Sequence, residues 1–376
     1  MRDRGPLPVD ADREGGLAAP LLGQGVLHKD VTWGEIGLER RERATVAQLG
    51  PADRVRETAR RLTEASSAPA ARGSSPEDGE RLLDEARAIL VEPLRFGDDA
   101  RRVLISPDDE LAFVPFARLL AGGTLSTASE RITGPDVHLI PSGTVLGEIR
   151  RQNGAVEGLA RIEEVLALAD PDYSIAPGGL AWDRLPQEKP YSPLPRTRAE
   201  AKAVTAFPLL GRDATEANFR RCIQEVPADK RLRAILLAAH GVIRGANPQR
   251  SAIALTPEGE DDGDLTALEI TQLSVRADLV VLSACESGLG GHARGEGVVG
   301  LVRAFMFAGA PRVLASTWRV DDDATEVLIT HFFQRVKAGD CPAKALREAQ
   351  DHVRNAKAKW NDPYYWAAWV LWGLPD

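Results

Sequence analysis

Apolar residues along this chain fall into short runs parted by charged stretches, and the two spacings predict alternating strands and helices. Arg102-Val103-Leu104-Ile105-Ser106 reads as a short buried strand, and Leu111 to Leu120 and Val137 to Ile140 continue the alternation of strand and helix. Leu232 to Ala239 is apolar but for Arg233 and runs into His240; Asp278 to Ala284 runs into Cys285; Arg312 to Trp318 is a third such strand. Between them lie helical patterns at Arg81 to Leu90, Ala199 to Phe207, Asp213 to Cys222, Ala324 to Lys337 and Pro342 to Lys357, the last with proline at its first position. Val298 to Ala308 is predicted as a helix closed by Gly309. Trp33 to Ala65 also reads as helical, with Val46, Leu49, Val55 and Leu62 set among Arg and Glu. Apolar strands alternating with helices predict an α/β fold with a mostly parallel sheet covered on both faces.

Residues 1–24 are rich in Gly, Pro and Asp, and Ser66 to Pro76 is polar enough to be a linker, so residues 1–79 are expected to be an irregular N-terminus, a short helical region and a linker. The main body starts near Glu80. Six prolines between Pro171 and Pro195 preclude a regular element and mark an exposed loop or a seam between an 80–195 half and a 196–376 half. A net charge of −8 argues against a sequence-independent grip on nucleic acid, which needs local positive excess. No apolar run is long enough to span a bilayer, and Met1-Arg2-Asp3-Arg4-Gly5-Pro6 lacks the apolar segment of a secretory signal. Three cysteines make no disulfide framework and, with six histidines, never cluster at metal-ligand spacing, so no cofactor or metal is expected. A reducing cytoplasm is the expected location.

In parallel sheets, sites form at the carboxyl ends of strands. Ala239-His240-Gly241 and Ala284-Cys285-Glu286 end two successive apolar strands. If those strands are neighbours, both side chains emerge on one edge. An imidazole there generates a thiolate for attack on a carbonyl and later protonates the leaving amine. Gly241, without a side chain, lets its backbone N–H approach the developing oxyanion beside that of Cys285. Singly, a histidine at a strand end is more often structural and a cysteine after an apolar strand more often core; jointly they favour nucleophilic catalysis. Cys222, on a helix, and Cys341, before Pro342, have no such context, and His28, His138, His292, His331 and His352 read as bland.

Three further features carry two readings each. Gly295-Glu296-Gly297-Val298-Val299-Gly300 matches a dinucleotide fingerprint, but ten residues separate it from the strand, which favours a glycine-rich start to a packed helix. Asp321-Asp322-Asp323 follows the strand ending in Trp318 and is either a helix N-terminus or, with Trp318, a substrate-pocket wall selecting basic residues. Tyr364-Tyr365-Trp366 and Trp369 read as core or pocket lining rather than a nucleic-acid stacking platform. No third catalytic residue is evident; Glu286 and Glu296 qualify only by nearness to Cys285 in sequence.

Beyond these residues, Asp264 to Ile270, Ala277 to Gly288, Gly295-Glu296-Gly297-Val298, Ala308-Gly309-Ala310, Ser316 to Asp322, Ala345-Leu346-Arg347 and Pro363 to Ala368 follow in an order that resembles the CHAT-domain family of caspase-like cysteine peptidases. Upstream, Ile105 to Leu111, Pro115-Phe116 and Pro141-Ser142-Gly143 resemble the family's first half. The resemblance covers residues 80–376 and implies a caspase-like three-layer sandwich, 80–195 being a supporting half and 196–376 the catalytic half. It implies that Cys285 is a nucleophile, that His240 is its general base and acid, and that Gly241 and Cys285 amides are oxyanion donors. The implied function is a cysteine endopeptidase acting on a protein substrate, with cleavage after basic residues suggested by the aspartates. An activating or sensor protein partner and a bacterial defence or programmed-death pathway are also implied, with no direct nucleic-acid or membrane partner. The alternative is a catalytically silent interaction module of the same fold; dinucleotide chemistry through Gly295 to Gly300 ranks well behind both.

Overall fold

A computed structural model describes residues 26–28, 31–36, 45–68, 76–94, 100–121, 131–156, 160–175, 191–244, 247–283 and 294–375. The chain begins with β1 (Val26–His28), β2 (Val31–Ile36) and β3 (Thr45–Gly50), a small antiparallel sheet, and continues into α1 (Ala52–Ser66) and α2 (Pro76–Leu90). There follow β4 (Arg102–Ile105), α3 (Phe116–Leu119), β5 (Asp136–Leu139), α4 (Gly143–Val156) and β6 (Ala160–Pro171). Next come α5 (Thr197–Val204), β7 (Leu209–Gly211), α6 (Glu216–Gln224), β8 (Lys230–Ala238), β9 (His240–Val242), β10 (Ala252–Ala254), β11 (Asp264–Thr266) and α7 (Ala267–Ile270). The chain then forms β12 (Val280–Leu282), α8 (Arg294–Phe307), β13 (Arg312–Ser316), α9 (Asp322–Lys337), α10 (Pro342–Ala356) and β14 (Trp369–Gly373).

The helix expected over Trp33 to Ala65 is corrected: β2 and β3 occupy its first part and only α1 is helical. Val46 and Leu49 are spaced as on a helix, but β3 pairs with β2, with Glu35 opposite Val46, and that pairing overrides local spacing. α1 then buries Val55, Ala59 and Leu62 in one core with Leu83, Ala112 and Leu139, so the segment before residue 80 packs on the main body.

The central sheet runs in the order β4-β5-β14-β13-β12-β8-β6-β7. Every neighbouring pair is parallel except β13–β14. Alternation along the strands builds two cores. Ile235, Leu237, Val280, Leu282 and Val313 face one side, where α1, α2, α4, α6 and α8 supply Leu62, Leu83, Leu146, Phe219 and Phe305. Ala234, Leu236, Val281 and Leu314 face the other, under Ala201 of α5, Phe332 of α9 and Ala349 of α10. This is the three-layer α/β arrangement expected from the sequence.

α8 ends as its glycine predicts. Gly309 has φ of 115°, the Gly309 N–H donates to the Met306 carbonyl at 3.1 Å and the Ala310 N–H to that of Phe305 at 3.0 Å. A left-handed residue at that position reverses the chain into β13, and a Cβ there would lie 3.0 Å from the Val275 carbonyl oxygen. Among the described residues no helix is long and apolar enough to cross a membrane.

Candidate active site

Because β6, β8, β12 and β13 are parallel neighbours, their carboxyl ends share one edge of the sheet. The register aligns Leu168, Leu237, Leu282 and Ala315 in one row across those four strands. His240 stands three residues beyond Leu237 in sequence, Cys285 three beyond Leu282 and Trp318 three beyond Ala315. Cys285 and Glu286 lie outside the described residues, as does the side chain of Glu296. The neighbouring of β8 and β12, on which the pairing of His240 with Cys285 depends, is part of the sheet.

His240 opens β9, opposite Ala254 of β10, and is half-buried. Its backbone N–H donates to the hydroxyl of Tyr173 at 3.1 Å, and that hydroxyl donates in turn to the Ala254 carbonyl at 2.9 Å. One phenol, buried just past the end of β6, therefore bridges the two strands where His240 turns out of the sheet. The ring of His240 is flanked by Tyr191, 5.5 Å away and nearly parallel, and by Tyr173 at 5.3 Å. Its Nε2 lies 2.8 Å from the carbonyl oxygen of Ser192. A carbonyl only accepts, so Nε2 carries the proton and Nδ1 holds the basic lone pair. Burial holds the imidazole below its ordinary value of 6.5, against the Ser192 bond, which favours the charged form; Arg319 lowers it further and Asp322 opposes. The neutral, base-competent form is thus the resting form at neutral pH.

The aspartates after β13 separate in role. Asp321 is the N-cap of α9, accepting the Ala324 N–H at 3.0 Å. Asp323 pairs with Arg196 at 2.9 Å, and Arg196 also approaches Glu326 at 3.7 Å. Asp322 is the acid whose charge acts on His240. Among the described residues it makes no salt bridge. Trp318, expected as a pocket wall, is buried against the α9 side of the core, and its Nε1 donates to the Tyr364 carbonyl at 3.2 Å. Trp366 and Trp369 are likewise buried. Gly295, Gly297 and Gly300 lie within α8 rather than in a phosphate-binding turn, and a Cβ at Gly300 would lie 3.3 Å from the Pro248 carbonyl oxygen. Gly241 is buried opposite Ile253.

Five participants escape the sequence reading. Ser192 contributes only a backbone atom, and Tyr191 and Ser192 sit in the proline-rich stretch taken as a loop or seam. Tyr173 stands two residues past the end of β6, whose apolar stretch Val165 to Ala169 is flanked by charged residues, so no strand-end pattern marks it. Ser283 directly follows β12, and its hydroxyl donates to Oε2 of buried Glu200 on α5 at 2.8 Å. Among the described residues no three His, Cys, Asp or Glu side chains gather as a metal site.

The chain is similar to several known proteins. Tetratricopeptide repeat protein 28 of Mus musculus is 34% identical over 109 residues, 29% of this chain and 4% of the relative; that of Homo sapiens is 35% identical over the same shares. The chain thus spans only a small part of the curated relatives it matches. Among solved structures, the Saccharomyces cerevisiae separase–securin complex aligns with 80% of this chain and 17% of that one, at 13% identity and a TM-score of 0.42. The complex of Porphyromonas gingivalis RgpB pro- and mature domains aligns with 86% of this chain and 76% of that one, at 13% identity and a TM-score of 0.43. Residues 80–374 match the family model described as CHAT domain, and with that match over most of its length the chain belongs to the CHAT domain family.

Proposed function

We propose that this protein is a cysteine endopeptidase in which His240 and Cys285 form the catalytic dyad. One observation carries the reading. His240 stands at the carboxyl edge of the sheet with Nε2 committed to the Ser192 carbonyl and Nδ1 left as base, beside the strand that leads to Cys285. A general base at this edge must be neutral with a basic ring nitrogen, and burial together with the Ser192 bond meets both conditions.

In the proposed reaction Nδ1 of His240 takes the proton of the Cys285 thiol, and the thiolate sulfur bonds to the substrate carbonyl carbon. The carbonyl electron pair moves onto oxygen, which the backbone N–H groups of Gly241 and Cys285 are assigned to stabilise. Collapse breaks the C–N bond, the departing amine receives the proton from His240, and a thioester remains. Water, deprotonated by His240, then attacks the thioester and returns the free thiol and a carboxylic acid. Asp322 supplies negative charge beside the base and supports a basic residue before the scissile bond. The family implies a protein substrate and an activating or sensor partner.

The test is labelling of the purified protein with peptidyl acyloxymethyl ketones ending in Arg, Lys or Leu, with the adduct located by mass spectrometry. The expected result is an adduct on Cys285 in the wild type, none in Cys285→Ala, and a rate at least tenfold lower in His240→Ala. Asp322→Asn is expected to slow the Arg and Lys reagents more than the Leu reagent. Equal slowing removes the basic-residue preference, and no adduct in the wild type refutes the peptidase reading in favour of an interaction module.

A further inference from the structure

Glu200 sits on α5 beneath the sheet edge with 1% of its surface exposed, and the catalytic scheme above gives it no task. A carboxyl group so placed is costly unless another interaction requires it. Its one described partner is the Ser283 hydroxyl, which donates to Oε2 at 2.8 Å. Ser283 is the residue directly after β12 and stands two positions before Cys285. α5 is itself fixed: Arg198 pairs with Asp170 at the end of β6, Arg196 with Asp323 of α9, and Lys337 of α9 donates to the Val204 carbonyl at 2.8 Å. Glu200 therefore reaches Ser283 from a helix braced on two sides.

We propose that Glu200 is a positioning residue for the nucleophile: through Ser283 it holds the carboxyl end of β12 in place, from which the chain proceeds to Cys285. The inference rests on the dyad reading. A Leu at position 200 would fill a similar core volume but would offer no acceptor to hold the Ser283 end of β12. A directed hydrogen bond fixes it against α5 instead.

The charges around Glu200 decide when the bond holds. From α9, Asp322 and Glu326 bear on it as negative charges; Asp323 and Asp170 nearby are matched by Arg196 and Arg198. Burial above all, then Asp322 and Glu326, pushes the carboxyl up to about 8, while the Ser283 bond pulls the other way. Glu200 is then a neutral acid at pH 7. Above about pH 8 it becomes a buried anion facing two carboxylates, and the contact is expected to open toward water.

The experiment measures the rate of Cys285 labelling by the peptidyl acyloxymethyl ketone from pH 5.5 to 10 in wild type, Glu200→Gln and Glu200→Ala, beside thermal unfolding of each. Gln keeps an acceptor for Ser283 and cannot ionise. Expected are a wild-type rate that falls above about pH 8, a Glu200→Gln rate that does not, and a Glu200→Ala rate at least fivefold below that of Glu200→Gln at pH 7 while the protein is still folded. The folded value is raised above the unfolded one, so wild-type stability relative to Glu200→Gln should decline as pH rises from 4.5 to about 8. The same alkaline fall in Glu200→Gln, or equal rates in the Ala and Gln variants, overturns the inference while the dyad stands. Absence of labelling in the wild type at every pH overturns the dyad reading and this inference with it.

Discussion

Replacing Tyr173 by Phe removes one oxygen atom and should cost more than most whole side chains on the surface. The Tyr173 hydroxyl accepts the His240 N–H at 3.1 Å and donates to the Ala254 carbonyl at 2.9 Å, and the residue is 4% exposed. Phe preserves the ring and its contacts with Tyr191 and His240, each with centroids 5.3 Å away, so only the two hydrogen bonds change. Leaving a buried donor or acceptor without a partner costs about 1–3 kcal/mol, so two stranded backbone groups give about 2–4 kcal/mol after modest relaxation. Urea unfolding at pH 7.5 measures this directly as a lower midpoint at constant slope. The His240 backbone is also freed where it leaves the sheet, so labelling of Cys285 should slow at least tenfold in protein that is still folded. A stability loss under about 0.5 kcal/mol would refute the reasoning, because β9 and β10 would then have closed directly on each other without the phenol.

Two further outcomes follow from the charges. His240 must be neutral to act as base and burial holds it below 6.5, so the acidic limb of kcat/KM should fall below pH 6.5; a limb at or above that value contradicts the buried, Ser192-bonded ring. At the amino ends of the same strands, Asp278 is buried and pairs with Arg231 at 2.8 Å and Arg161 at 2.5 Å. Asp278→Asn should destabilise by about 2–4 kcal/mol in urea unfolding, near the range for a broken buried pair and reduced because Arg161 is partly in water; a loss under about 0.5 kcal/mol would show that the pair contributes nothing.

Much of this site was legible because it is local in sequence. An apolar run of the right length becomes a buried strand almost wherever it lies, and the residue that ends it reaches the sheet edge. His240 and the strand leading to Cys285 were accordingly readable, as were the glycine closing α8 and the acidic start of α9. Asp321 as an N-cap is likewise a short-range choice, made within three residues. The segment before α1 misled, since Val46 and Leu49 satisfy a helical spacing and a strand register equally, and only pairing with β2 chooses.

The three bonds that finish the site are of another kind. Ser192 meets His240 across 48 residues, Tyr173 meets Ala254 across 81 and Ser283 meets Glu200 across 83. No pattern encodes them, for two physical reasons. A backbone carbonyl is offered by every residue, so the one that fixes the histidine tautomer is chosen by where the proline-rich stretch around Ser192 comes to rest. A buried carboxyl is indistinguishable in sequence from an exposed one, and its neutrality arises only when the sheet and α9 close over it. Sequence alone determined which residue types reach the edge of the sheet; the tertiary structure decided which atoms hold them there and in what protonation state.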